Sequence, residues 1–289
     1  MRKKISILGS KSTTYELLKD LVELKINIHS VISLDSKKAK INCVANYEGN
    51  KIKKFCLLNH IKHNFVSNYK LEEKNIIKIF KKTDVLFVIG WERIIPKDIL
   101  NVIAYGCYGM HGSYKGLPSG RGRSPLNWSL IQGNRFFYTS LFKYNSGIDD
   151  GDIVDTKKFE INSHDDIFSL HAKNQMIMSF LIKKNIKKIL SNSQNFISQK
   201  NIKPTYYPKR LPDDGVIDWN LNTKKIYNII RALKPPYPSA FTFLNKKKIF
   251  IYSARPFDKF LNFNKFKNEF IIKVFLNKFI LVKTSDGSI

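Results

Sequence analysis

The feature that most constrains this chain is an alternation of apolar runs with two different periods. "KISILGS" is a continuous apolar run of strand length, "TTYELLKDLVELKI" carries its apolar residues at helical spacing, and "IHSVISL" returns to the strand pattern. A strand, a glycine turn, a helix and a second strand predict an α/β domain with a mainly parallel sheet, whose ligands lie at the carboxyl ends of the strands. "DVLFVIGW", Asp84 to Trp91, is the clearest later strand and puts Gly90 and Trp91 at such an end. A helix follows at "IPKDIL", with Pro96 near its first turn, where a missing N–H costs little. The first turn, "GSKSTT", has neither G-x-G-x-x-G nor G-x-x-x-x-G-K-[ST], so neither a dinucleotide site nor a P-loop is indicated.

Further on, "SPLNWSLIQG" reads as a helix ended by Gly133, and "YTSLFKY" and "IVDTKKFEI" read as strands either side of the turn "NSGIDDGD". "HDDIFSLHAKNQMIMSFLIKKNIKKIL" is an amphipathic helix that closes this domain. Beyond the polar stretch "SNSQNFISQKNIKP" come a short helix around "TKKIYNIIRAL" and the short strands "AFTFL", "KIFIYSA", "FIIKVF" and "FILVKT". They predict a small β-rich C-terminal domain, OB-like in the sense of a partly open barrel. The expected domains are 1–200 and 205–289.

At 289 residues and 43% apolar the chain can bury a sizeable core. No apolar run approaches the roughly 20 residues that span a bilayer, and "MRKKISILGS" lacks the pattern of a signal peptide, so a cytoplasmic setting without a membrane partner is expected. Cys43, Cys56 and Cys107 are isolated, in apolar strand-like contexts without paired metal-ligand spacing, and read as reduced core thiols; no metal is expected. The net charge of +27 invites a polyanion partner, but lysine supplies most of it and is strewn along the whole chain. Solvated helix faces and strand edges account for it better, which argues against nucleic acid. Arg121 and Arg123 stand out because they sit close together in a loop rich in glycine and proline.

That loop, "GMHGSYKGLPSGRGRSPLNW", opens with His111 just after a strand, where an α/β sheet builds its sites. Its alternative reading is an ordinary loop or capping histidine. In "GIDDGDI", Asp150 and Asp152 suit turn chemistry, and Asp149 is the natural carboxylate to orient an imidazole and raise its basicity. His111 and Asp149 therefore form the candidate acid–base pair.

The run from "GCYGMHGS" through "LPSGRGRSPLNWSLIQG" to "YNSGIDDGDIV" resembles the signature of formyltransferases that use N10-formyltetrahydrofolate, whose loop reads roughly N-x-H-x-S-L-L-P-x-x-R-G and whose later element reads D-x-G-D-I. "DVLFVIGWERIIPKDIL", "RLPDDGVIDWN" and "IIRALKPPYPSAFTFL" resemble further segments of that family, so the similarity spans nearly the whole chain. "GWERIIP" and the lengthened "KGLPSGRGRSPLNW" look more like enzymes that formylate amino groups of nucleotide-linked sugars than like methionyl-tRNA formyltransferases. The resemblance implies a Rossmann-like catalytic domain, N10-formyltetrahydrofolate as co-substrate, and a UDP- or dTDP-linked amino sugar as partner, in surface-glycan biosynthesis. Methionyl-tRNA formylation and a catalytically silent folate- or RNA-binding protein are the alternatives, and a homodimer stays open.

Carried over, the family's catalytic histidine and aspartate fall on His111 and Asp149. Its asparagine, which holds the formyl carbonyl, falls on Gly109, so the expectation is that a backbone group or a water admitted by the glycine supplies that donor, with Ser113 and Asn127 as alternatives. Trp91 and the backbone of Ile89 and Gly90 are expected to wall the folate's pterin, against a rival reading of core packing. Arg121 and Arg123 are expected to pair with a pyrophosphate, unless simply solvated. Trp128 and Trp219 read as core, and "KPPYPSAF" as a structural junction.

Overall fold

The computed structural model describes residues 3–235, 237–258 and 260–289. The chain divides into two compact units, one made of Met1–Gly122, Tyr138–Phe159 and Ala172–Tyr206, the other of Arg123–Phe137, Glu160–His171 and Tyr207–Ile289. It runs β1 (Ile5–Leu8), α1 (Ser12–Glu23), β2 (Ile28–Leu34), α2 (Ser36–Ile41), α3 (Gly49–Leu58), β3 (His63–Val66), α4 (Lys74–Phe80) and β4 (Val85–Val88). It continues α5 (Lys97–Val102), β5 (Cys107–Ser113), β6 (Arg121–Gly122), α6 (Pro125–Ile131), β7 (Phe136–Lys143), β8 (Ile153–Glu160), α7 (Ile167–Ser191) and β9 (Tyr206–Tyr207). A 3-10 turn at Pro212–Gly215, α8 (Thr223–Ala232), β10 (Ala240–Leu244), β11 (Lys247–Ile251), β12 (Ile271–Phe275) and β13 (Phe279–Val282) complete it.

Seven strands form one sheet in the order β3-β2-β1-β4-β5-β7-β8, parallel from β3 to β5, with β7 antiparallel to β5. Alternation along the strands divides the core between its faces. Ile5, Ile7, Val85, Phe87 and Tyr108 pack with Leu17, Leu18 and Leu21 of α1 and with Leu181, Ile182 and Ile186 of α7. Leu8, Ile32, Leu86 and Val88 pack instead with Ile76, Ile79 and Phe80 of α4 and Ile99 of α5. Because helices cover both faces, the strands appear in the sequence as unbroken apolar runs. Phe87 is wholly buried here, and its truncation to alanine would cost about 3–5 kcal/mol.

Cys56, in α3, and Cys107, in β5, are buried, and burial pushes both thiols up to about 12. Cys43 departs from the expected core position: it follows the end of α2 in a left-handed turn, φ 50°, and is exposed. Among the described residues no helix is long and apolar enough to cross a membrane.

In the second unit the four C-terminal strands pair as two antiparallel hairpins, β10 with β11 and β12 with β13, and these do not join into one barrel among the described residues. Trp219 is buried, its indole N–H donating to Thr242 Oγ1 at 2.9 Å. Trp128, in contrast, is not a core residue. Its ring stacks on Tyr207 at 5.6 Å with the Arg210 guanidinium 5.1 Å from its centroid, so an aromatic face and a cation hold it half-buried where aliphatic packing was expected. Pro236 of "KPPYPSAF" lies outside the described residues, while beside it Lys234 Nζ pairs with Asp166 Oδ2 at 2.8 Å.

Candidate active site

Residues 107, 109 and 111 of β5 present one face of the sheet, since side chains alternate along a strand. The strand is paired on both sides at this level, Gly109 standing opposite Val88 of β4 and Phe142 of β7. His111 is set near its carboxyl end. Asp149, from the turn after β7, brings Oδ2 to 3.3 Å from His111 Nδ1, and the same oxygen accepts the Gly122 N–H at 3.1 Å. On its other side the imidazole meets the Gly120 carbonyl, Nε2 to O 2.9 Å. A carbonyl only accepts, so Nε2 carries hydrogen and Nδ1 is the nitrogen left to exchange a proton beside the carboxylate.

Asp149 occupies the left-handed region, φ 49°, which a residue with a β-carbon rarely adopts. Gln199 secures that conformation: its amide donates to the Asp149 carbonyl at 3.0 Å and to the Gly151 carbonyl at 2.5 Å, and its Oε1 accepts from Arg121 Nη2 at 2.7 Å. Arg121 also reaches Tyr206 Oη at 3.4 Å. It is a buried, braced residue rather than a solvated one.

A cavity of about 560 Å³ opens beside this turn, lined in part by Arg121, Tyr144, Asp150, Gly151 and Gln199. Two of its lining residues hold buried polar atoms without partners among the described residues, Arg121 Nε and Asp150 Oδ1. Both atoms are buried away from solvent, and the cavity's polar lining, which also includes Lys143, Asn145 and Asp152, suits a hydrogen-bonding ligand.

The remaining expected residues are placed as follows. Ser113 is buried, with Oγ accepting the Lys115 N–H at 3.2 Å. Asn127, in the second unit, is buried with its amide donating to the Ala232 carbonyl at 2.8 Å, which ties α6 to α8. Arg123, also in that unit, is exposed. The Ile89 carbonyl accepts Thr14 Oγ1 at 2.5 Å and the Gly90 carbonyl accepts the Ser10 N–H at 3.2 Å. Gly90 has φ 77° and leaves 2.8 Å between a notional β-carbon and Thr14 Oγ1, so a side chain there meets both strain and a neighbour. Trp91 is a core residue, edge-on to Tyr69 at 5.0 Å, with its indole N–H unpartnered among the described residues.

Gly109 differs from the expectation of an opening for water. The space that a side chain would take is filled by Tyr144, whose Oη and Cζ lie 2.8 and 2.9 Å from the notional β-carbon. Burial first, then the negative charge of Asp149, pushes this phenol above its ordinary range. Tyr144 and Gln199 are the site residues that sequence reasoning missed. Only the strand register around "LFKY" signals the first, and nothing in the polar stretch "NFISQK" distinguishes the second.

The family model described as "Formyl transferase" matches residues 3–180, and "Formyl transferase, C-terminal domain" matches 211–289. Methionyl-tRNA formyltransferase of Fusobacterium nucleatum is 31% identical over 269 residues, 90% of this chain and 83% of that protein. The bifunctional polymyxin resistance protein ArnA of Wigglesworthia glossinidia brevipalpis is 37% identical over 174 residues, 60% of this chain but only 26% of that longer protein. Among solved structures, WlaRD, a sugar 3N-formyl transferase crystallised in the presence of dTDP and 5-N-formyl-THF, superposes with a TM-score of 0.71 at 20% identity, covering 100% of this chain and 96% of its own.

Proposed function

The chain belongs to the formyl transferase family, and from that premise we propose that it moves a formyl group from N10-formyltetrahydrofolate to the amino group of a UDP- or dTDP-linked sugar, in surface-glycan biosynthesis. The observation that carries this reading is the His111–Asp149 pair, Nδ1 3.3 Å from Oδ2, beside a cavity of about 560 Å³. The fold shared with WlaRD, a sugar 3N-formyl transferase crystallised in the presence of dTDP, supports the acceptor class. His111 and Asp149 serve as the catalytic pair. The backbone of Ile89 and Gly90 walls the folate with Trp91 packed behind it, Arg121 lines the cavity, and Arg123 is exposed to meet an anionic group.

In the reaction the amine lone pair bonds to the formyl carbon and the carbonyl π pair moves to oxygen. The proton shed by the amine passes to the His111–Asp149 pair, a general-base contribution of about 10²–10⁴-fold. The oxyanion then re-forms the carbonyl, the bond to N10 breaks with its electron pair, and N10 takes the proton. An N-formyl sugar and tetrahydrofolate result.

Incubation with formyl-folate and a panel of nucleotide-linked amino sugars, read by mass spectrometry, should show one acceptor gaining a single formyl group. Formylation of methionyl-tRNA and of no sugar would replace this reading with the tRNA reading, which 31% identity along 90% of the chain and the net charge of +27 favour. No formylation of any acceptor would favour a silent binding module.

A further inference from the structure

We propose that the Tyr144 hydroxyl is the donor that holds the formyl oxygen as negative charge develops on it, in the place left by the missing side chain at Gly109. This rests on the reading that the formyl carbon reacts at His111 and Asp149. Gly109 and His111 are two residues apart on β5 and so present the same face. Tyr144 stands across from Cys107, its N–H bonded to the Cys107 carbonyl at 2.7 Å, which makes Gly109 its diagonal neighbour, within reach of an aromatic ring. The ring leans over the bare glycine until Oη is 2.8 Å from where a β-carbon would be. That is about where the polar end of a short side chain on residue 109 would lie. Tyr144 also lines the cavity, and its hydroxyl makes no hydrogen bond among the described residues.

An oxyanion is best held by a neutral donor that is already in place and has no competing partner. Burial and the nearby Asp149 carboxylate keep the phenol protonated, and its ring packs 4.9 Å from Phe142, which fixes its direction. A residue that merely covered a glycine would need the ring without the hydroxyl. That difference makes the role testable.

Tyr144→Phe keeps the ring and removes the donor. Transfer to the acceptor should fall about 100-fold in kcat, with little change in either KM, because the interaction strengthens only as charge develops. Breakdown of the formyl donor by water builds the same oxyanion and is followed in parallel, so the comparison does not wait on the acceptor's identity. His111→Ala is assayed beside it. Loss of both activities in His111→Ala with native rates in Tyr144→Phe would leave the site reading standing and overturn this inference. Native rates in both variants would overturn the two together. A second pair guards against misfolding: Gly109→Asn alone should lower turnover, because its β-carbon meets the Tyr144 ring. In a Tyr144→Ala background the same asparagine has room and should raise turnover at least about 10-fold over Tyr144→Ala. A gain from Gly109→Asn in the native background would show that the donor is absent, contrary to the proposal.

Discussion

The carboxyl ends of β1 and β5 occupy equivalent places in one parallel sheet, yet they treat their polar groups in opposite ways. At β1, Ser33 Oγ donates to the Gly9 carbonyl at 2.8 Å, Ser10 Oγ accepts the Leu34 N–H at 2.8 Å, and Thr14 Oγ1 donates to the Ile89 carbonyl at 2.5 Å. Strand order reverses between β1 and β4, the usual place for a ligand in an open α/β sheet, and here side chains of the fold occupy these polar contacts, while Trp91 Nε1 has no partner among the described residues. At β5 the reverse holds. Among the described residues Tyr144 Oη, Arg121 Nε and Asp150 Oδ1 have no hydrogen-bond partner, and Tyr144 lines the cavity beside the turn that carries Asp149. Paired polar groups hold strands together, and open ones wait for a ligand, so the two ends should respond differently to the loss of one polar group.

The largest effect should come from the open end. His111→Ala and Asp149→Asn should each lower turnover by at least about 100-fold, with thermal melting close to native, because proton transfer is lost while the core is untouched. Native turnover in either variant would erase the contrast. Gln199→Ala should come next, since it removes the bonds that hold the left-handed Asp149 turn and frees Arg121. A loss of about 1–3 kcal/mol in stability is expected, together with a fall in turnover of roughly tenfold as the carboxylate wanders. A stability loss without any change in turnover would reduce Gln199 to scaffolding. At the closed end, Thr14→Val should cost about 1–2 kcal/mol in urea denaturation by leaving a buried carbonyl without its donor, while turnover per folded molecule stays native. Impaired turnover there would mean that the closed end also shapes the site.

The sequence made the frame legible for a definite reason. A sheet covered on both faces writes itself as apolar runs, so β1, β2, β4 and the strands flanking Asp149 stand out, and the ordered motifs from Gly109 to Gly151 carry the His111–Asp149 pairing. Other features depend on contacts that no local pattern encodes. Gln199 meets the Asp149 turn across 50 residues, and Tyr144 covers Gly109 only because β5 and β7 pair in one register. Trp128 looked like core because α6 is apolar, but its ring is held by Tyr207 and Arg210, distant in sequence. The segment from residue 36 to residue 80 forms α2, α3, β3 and α4, short elements whose lysine-rich faces blur the periodicity.

The smallest expected effect is a pH dependence confined to the closed end. His63, at the start of β3, brings Nε2 to 3.2 Å from Ser33 Oγ, the same hydroxyl that holds the Gly9 carbonyl. Burial chiefly, and then the positive charge of Lys53, lower its pKa from 6.5 to about 4. Between those values the unfolded chain binds a proton that the folded chain refuses. Stability contributed by the neutral imidazole is therefore fully present above about pH 6.5 and is lost as pH falls toward 4, where folded His63 also titrates. His29, lowered by burial and by Lys4, acts in the same direction, so the test is a difference. His63→Gln keeps an N–H for Ser33 and removes the titration; its urea midpoint should fall less steeply than the native one between pH 6.5 and 4. Parallel curves would show that His63 is not the group responsible. If instead the variant's turnover changed along with its stability, the end of β1 would be coupled to the chemistry at β5, and the division between a closed end and an open one would have to be redrawn around Ser33.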